Sequence, residues 1–376
     1  MDNNRSDDVQ ARPQVSKLHN LVFWGMGLLV YSVVIWRMFT HPAALQLRSD
    51  VDSCWYLGMA ENVSKGLFWN VRQQAPFMPL YALLMVPMCW IEQLEFVTVF
   101  AFTVTWLGFL IWLYRLVGPR WIVLVPFLSL PILNNYLLAW SEVLSLPLIM
   151  ILFVNLAKSG QARIDWPLDG QNQRSLATVG DKTTSLLLVL LVLTRWANLY
   201  FVGAVCLIWA LEAARNHDWF NIKVLRRLAA LVAPSFLAVV SVSLLNFYHT
   251  GYLLGYDKTG PGVFVSASSA QDWMVAISQL VSWFRDPVVG SLGLRVGLWT
   301  AQIILLLWLI KRGDLAWTRG RSGLLMGLAI GYALWIAITE RVTELDVVDY
   351  RLLAPCLLMT WMAFAKIGTL NVLFRK

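Results

Sequence analysis

The chain has 376 residues, of which 58% are hydrophobic and only 14% charged, with a formal net charge of +8 and a mean hydropathy of +0.62. An ordinary soluble domain is about 45–50% apolar and about 25% charged, so this balance excludes a water-soluble fold and points to an integral membrane protein. Nor does the basic excess imply a nucleic-acid partner, because Lys and Arg in membrane proteins collect in the cytoplasmic loops.

A hydrocarbon core about 30 Å thick takes around 20 apolar residues per helix. Residues 1–20 form a polar arm carrying Asp2, Arg5, Asp7, Asp8, Arg12 and Lys17, expected in the cytoplasm. No small-residue cleavage site follows the first apolar stretch, 21–39, which is expected to stay as an anchor. Further apolar runs lie at 96–114, 121–139, 143–157, 184–211, 228–248, 289–310, 323–339 and 352–370. The run 184–211 is interrupted at Thr194-Arg195-Trp196. An arginine at mid-bilayer costs roughly 2.5–3.5 kcal/mol, which predicts a helical hairpin whose turn carries Arg195 to the far surface. The total is roughly ten spans, in an all-α polytopic bundle occupying 21–376. The 20 tryptophans suit its interfacial belts.

Segment 77–91 is apolar but short and contains Pro79 and Pro87. Charge decides between a span and a helix lying in the interface. If the segment does not cross, the inside receives 1–20, 115–120, 158–182, 212–227, 311–321 and 366–376, which hold 20 of the 30 Lys and Arg. That asymmetry is what the positive-inside rule requires, so an interfacial helix is expected. The outer face then receives a first loop of about 40–95, a tip near 134–142, a second large loop of about 249–288 and a turn at 340–351. Thirteen of the 22 carboxylates fall in these pieces, Asp50, Asp52, Glu142 and Asp349 among them. The four cysteines, three of them inside apolar runs, form no disulfide framework.

In the first outer loop Tyr56, Met59 and Val63 recur at helical spacing, with Asp52 or Ser53 as the cap, which predicts a short amphipathic helix on the membrane surface. Asp52 at its N-terminal end is stabilised as a carboxylate by unpaired N–H groups, which suits a base, a metal ligand or a plain helix cap. Asp50 and Asp52 make an Asp-x-Asp pair whose oxygens would suit Mg²⁺ or Mn²⁺.

Asp52, Tyr56, Ala60, Gly66 and the run Pro79-Leu80-Tyr81 together resemble the start of the GT-C glycosyltransferases, polytopic enzymes that include the protein O-mannosyltransferases and the aminoarabinose transferases of lipid A. The resemblance continues through Ser141-Glu142, Leu193-Thr194-Arg195, Asn246 with Gly251, and Asp349-Tyr350-Arg351-Leu352-Leu353-Ala354-Pro355. It implies a transferase that draws on a polyprenyl-phosphate sugar and acts on a glycan, lipid or protein acceptor outside a bacterial inner membrane, with membrane lipid around it. Asp52 is implied as the carboxylate that takes or orients the acceptor proton. A divalent cation stays open, since metal dependence varies among the family's relatives.

A lipid-phosphate leaving group needs a nearby cation, for which the outer pieces offer Arg351, Lys258 and Arg195. Arg351 matches the family's position for that role; its other readings are a snorkelling interfacial arginine or a partner of Asp349. Lys258 lies in a Gly-rich loop that would either close over substrate or remain a solvated turn, and Arg195 is equally a buried structural group. Glu142 is an acceptor- or metal-binding carboxylate or simply a helix N-terminal charge. Asp50 and Tyr56 join it on the acceptor or metal side, and His41 and His249 read as structural. Two rivals stand beside the transferase. A transporter or lipid-linked-sugar flippase would bury carboxylates within its spans and often shows repeated halves, and a non-catalytic membrane subunit would tolerate loss of Asp52.

Overall fold

The computed structural model describes residues 17–40, 51–69, 78–91, 96–137, 140–158, 177–215, 222–253, 268–282, 292–313, 315, 321–342 and 350–365. Among them the fold is all-α, with a single isolated bridge between Leu315 and Ala365. Among the described residues four helices are long and apolar enough to cross a membrane, within Lys17–Thr40, Val97–Val117, Leu225–Thr250 and Ser322–Thr339, where the sequence predicted roughly ten spans over the whole chain. Five further apolar helices, of 10–17 described residues each, accompany them.

α1 (Lys17–Thr40) leads into α2 (Val51–Ser64), α3 (Leu80–Trp90) and α4 (Val97–Val117). α1 and α4 are antiparallel. The Tyr114 hydroxyl donates to Asn20 Oδ1 (3.0 Å), the Trp106 indole donates to the Gly27 carbonyl (2.9 Å), and Tyr31 meets Thr103 Oγ1 at 3.1 Å. The chain therefore leaves α1 and enters α4 at the same end. A crossing helix between them would have made the pair parallel. α3 has 11 residues, about 16 Å at 1.5 Å per residue, well short of a hydrocarbon core. Both facts agree with a segment 77–91 that does not span.

The run 121–139, expected as one helix, is instead a 3-10 helix (Trp121–Leu128) followed by the short α5 (Leu130–Asn134). Pro126 and Pro131 explain the difference, since each removes an N–H and crowds the preceding turn. The segment still travels from one end of the molecule to the other, because the 3-10 helix rises faster per residue. Near its start the Ile122 carbonyl accepts from the Trp361 indole (2.9 Å), and at its finish Asn134 Oδ1 accepts from Arg37 at the far end of α1 (2.7 Å).

α6 (Glu142–Lys158) and α7 (Ala177–Thr194) are also antiparallel, joined by Glu142 with Arg195 at one end and by Asn155 donating to Thr184 (2.9 Å) towards the other. After α8 (Leu199–Arg215) and α9 (Ile222–Thr250) come α10 (Ala270–Val281), α11 (Leu292–Arg312), α12 (Arg321–Val342) and α13 (Tyr350–Phe364). Ser322 donates to the Ala363 carbonyl (2.6 Å), and the Cys356 thiol approaches the Ala329 carbonyl (3.3 Å). These pairs make α12 and α13 antiparallel. Ser269 and Asp272 form a reciprocal capping box on α10, and those hydrogen bonds hold the Asp272 carboxyl below the usual carboxylate range. α10 rests on α13 and buries Ala276 and Leu280.

α8 and α12 approach closely at Gly331. The Tyr200 hydroxyl donates to the Leu328 carbonyl (2.6 Å), and a Cβ on Gly331 would stand 2.7 Å from the same oxygen. Gly331→Ala is expected to destabilise the chain by about 1–3 kcal/mol, as overpacking does, seen as a lower melting temperature in detergent. Gly323→Ala, where nothing lies within 4 Å, is the control that should leave it unchanged.

Candidate functional site

Three of the residues singled out from the sequence meet at one end of the molecule. Glu142 is the first residue of α6, Arg195 occupies the break after α7, and Arg351 sits in the first turn of α13. Arg195 and Glu142 form an ion pair, and Arg351 Nε lies 3.9 Å from the same carboxylate oxygen. The Arg351 guanidinium also lies over the Trp140 ring, 4.6 Å from its centre. Glu142 and Arg351 are buried, and Arg195 is 20% exposed. Arg195 thus sits at the break predicted between α7 and α8 and pairs there with Glu142.

The break that delivers Arg195 has a local cause. Arg195 is extended (φ −155°, ψ 143°), which ends α7. The buried amide of Asn198 braces that end, donating to the Leu191 carbonyl (3.0 Å), which also accepts from the Arg195 N–H (3.3 Å), and to Thr194 Oγ1 (2.8 Å), while Thr194 Oγ1 donates to Leu191 as well. A polar residue three positions after Arg195 was the signal for this clamp, and sequence reasoning passed over it.

α2 brings a further face to the site. Of the three residues whose spacing predicted a buried side, Tyr56 and Met59 are buried and Val63 is half-buried, Ser53 and Ala60 are buried with them, and the Tyr56 ring meets Tyr81 of α3 edge-on at 5.2 Å. The helix starts at Val51, so Asp52 lies in its first turn and not at the cap position. Asp52 precedes Tyr56 by four residues, about one turn. Gly66 ends the helix as expected: it adopts φ +73°, its N–H bonds to the Val63 carbonyl (3.0 Å), and the Leu67 N–H bonds to the Asn62 carbonyl (2.9 Å). Tyr56 is near enough to Arg195, and Tyr81 near enough to Glu142, to interact electrostatically. Tyr332 of α12 stands in the same relation to both Arg195 and Glu142, a contact that sequence reasoning missed. Its signal was a lone tyrosine in an otherwise apolar helix.

Asn246 and Gly251, quoted for the resemblance, close α9. Gly251 has φ +79° and bonds through its N–H to the Phe247 carbonyl (2.8 Å), and Thr250 Oγ1 donates to the Asn246 carbonyl (2.7 Å). His249 stacks on Phe68 with ring centres 3.9 Å apart. Asp50, Lys258 and Asp349 lie outside the described residues, as does the side chain of Asp52. Among the described residues no three His, Cys, Asp or Glu side chains converge as a metal ion would require.

No family model, curated protein or solved structure matches this chain. The reading of the site rests on its own chemistry. Two guanidinium groups meet one carboxylate, and the Trp140 ring lies against one of them. Guanidinium groups suit an anionic ligand with several acceptor oxygens.

Proposed function

We propose that this chain is a multi-pass membrane glycosyltransferase of the GT-C type, which moves a sugar from a polyprenyl-phosphate donor to a hydroxyl acceptor on the outer face of a bacterial inner membrane. The observation that carries the reading is the meeting of Arg195, Arg351 and Glu142 at the ends of three helices. Arg351 binds the donor phosphate and supports the charge that develops on it as it leaves, with Arg195 reinforcing the field. Glu142 holds both guanidinium groups in position. In the reaction the acceptor oxygen bonds to the anomeric carbon, the bond from that carbon to the phosphate oxygen breaks, and the carrier phosphate leaves with the electron pair. Asp52 takes the acceptor proton.

Support for the topology comes from which residues share an end. Asn20 with Tyr114, Ile122 with Trp361, and Ser322 with Ala363 pair the segments expected inside, whereas Arg37 with Asn134 and Glu142 with Arg195 and Arg351 pair those expected outside. Glu142 opens its helix, which supports a charge cluster near the interface over one on a path through the bilayer, as a transporter would need. In a background without native cysteines, Arg115→Cys at the exposed end of α4 is expected to react with a membrane-impermeant maleimide only after the cytoplasmic side is opened. Labelling of intact cells would overturn the map.

The reaction itself is tested by supplying membranes that contain the chain with polyprenyl-phosphate mannose, glucose and galactose. The reading expects one of them to label an acceptor and release the bare carrier phosphate. If none turns over while the folded protein is present, the transporter or non-catalytic subunit takes its place.

A further inference from the structure

α10 belongs to the second large outer loop, and its two ends differ in chemistry. At the start Ser269 and Asp272 close an exposed capping box. At the finish the Val281 carbonyl accepts from the side-chain amide of Gln302 in α11 (2.9 Å). Between them α10 buries Ala276 and Leu280 where it rests on α13, while Met274, Val275, Ile277 and Val281 are exposed.

The position of Gln302 along α11, expected to span, fixes how deep that second end lies. α11 finishes at Lys311 and Arg312, and the Arg312 guanidinium lies over the Trp308 ring, 5.0 Å from its centre, and 5.8 Å from the centre of Trp121. Basic and indole side chains collect at the cytoplasmic interface, so this end of α11 marks the inner boundary of the hydrocarbon. Gln302 stands ten residues before Arg312, about 15 Å away, which is the middle of a core about 30 Å thick. α10 has 12 residues and a length of about 18 Å, enough to reach from the outer boundary to that depth. Were α10 to lie flat on the outer surface, its tie to Gln302 would raise α11 until Lys311 and Arg312 stood near the bilayer centre, where charges are costly. The hydrogen bond suits the depth as well. A last-turn carbonyl and a glutamine amide N–H would each be stranded in lipid, and here they satisfy each other.

We propose that α10 is a re-entrant helix, which enters the outer leaflet from its Ser269 end, stops near the bilayer centre at Val281, and has its exposed apolar side covered by lipid acyl chains. A segment that ends inside a membrane survives only against protein, and α13 with Gln302 supplies that support. α9 ends and α11 begins on the outer side of the proposed topology, so α10 makes no full crossing. The inference rests on that topology and not on the transfer reaction. It sets a membrane-inserted helix beside α13, the element that carries Arg351.

Depth is measurable with nitroxide labels on single cysteines, in a background without native cysteines and in bilayers of phosphatidylcholine and phosphatidylglycerol. Met274→Cys, Ile277→Cys and Val281→Cys sample α10, and the last leaves the Val281 carbonyl in place for Gln302. Ile330→Cys, Leu334→Cys and Ile338→Cys, at exposed positions along α12, supply the depth scale. The readout is the ratio of relaxation by oxygen, which concentrates in hydrocarbon, to relaxation by a water-soluble nickel chelate. That ratio should rise from Met274 through Ile277 to Val281, a change in depth of about 10 Å. Val281 should match Ile330 and Leu334, and Met274 should match Ile338. One shallow value at all three α10 positions would describe a helix lying on the surface and overturn the inference, as would free access of the nickel chelate to Val281. If α12 itself shows no fall from Leu334 to Ile338, the topology fails and takes the inference with it, whatever the fate of the transferase reaction.

Discussion

Glu142→Leu should lower the unfolding free energy by about 3–5 kcal/mol, the usual cost of removing one partner from a buried ion pair. The cost comes from what remains. Arg195 and Arg351 approach the same carboxylate, Arg351 is almost fully buried against the Trp140 ring, and without Glu142 the repulsion between the two guanidinium groups loses its common counter-charge. Desolvation of a charge is tolerated only while a counter-charge compensates it. A melting curve in detergent would read the effect, together with the yield of folded protein in the membrane. The double variant Glu142→Leu with Arg195→Met should recover part of the loss, because it removes a buried charge along with its partner. If Glu142→Leu melts with wild type, the ion pair does not organise this end of the molecule.

Asp52→Asn should reduce sugar transfer by about 10²–10⁴-fold while leaving the folded protein intact. Asparagine preserves the size of the side chain and its capacity to accept hydrogen bonds from the first turn of α2, so helix and fold should persist. It has no lone pair basic enough to take the acceptor proton. The effect should therefore fall on turnover, with carrier binding, assigned to the arginines, little changed. A helix cap alone would leave turnover unchanged at matched folded protein, because Asn caps about as well as Asp.

Much of the architecture was legible from charge and apolar runs because a bilayer restricts backbone choices severely. The break at Arg195 follows from a single residue whose placement in hydrocarbon would be costly, and the structure has it; the non-crossing reading of 77–91 follows from the Lys and Arg count, and the 11 residues of α3 agree with it. The segment 121–139 was not legible as it stands. Hydropathy counts apolar side chains and does not register that Pro126 and Pro131, five residues apart, disfavour one continuous α-helix. The site divides in the same way. Glu142, Arg195 and Arg351 could be picked out because charges are scarce in this chain, but their meeting at one carboxylate depends on how α6, α7 and α13 pack, which no local pattern encodes. Asn198 and Tyr332 escaped notice because they are uncharged and act through a helix-end carbonyl and a neighbouring helix.

The central claim is that a carboxylate in the first turn of α2 serves a sugar transfer. Its most direct test compares labelled-sugar transfer in membranes carrying wild type, Asp52→Asn and Asp50→Asn, matched for folded protein and supplied with the donor that wild type uses. Loss of transfer with Asp52→Asn, with Asp50→Asn close to wild type, is the expected result. Transfer by Asp52→Asn at the wild-type rate would contradict the account and remove Asp52 from the chemistry.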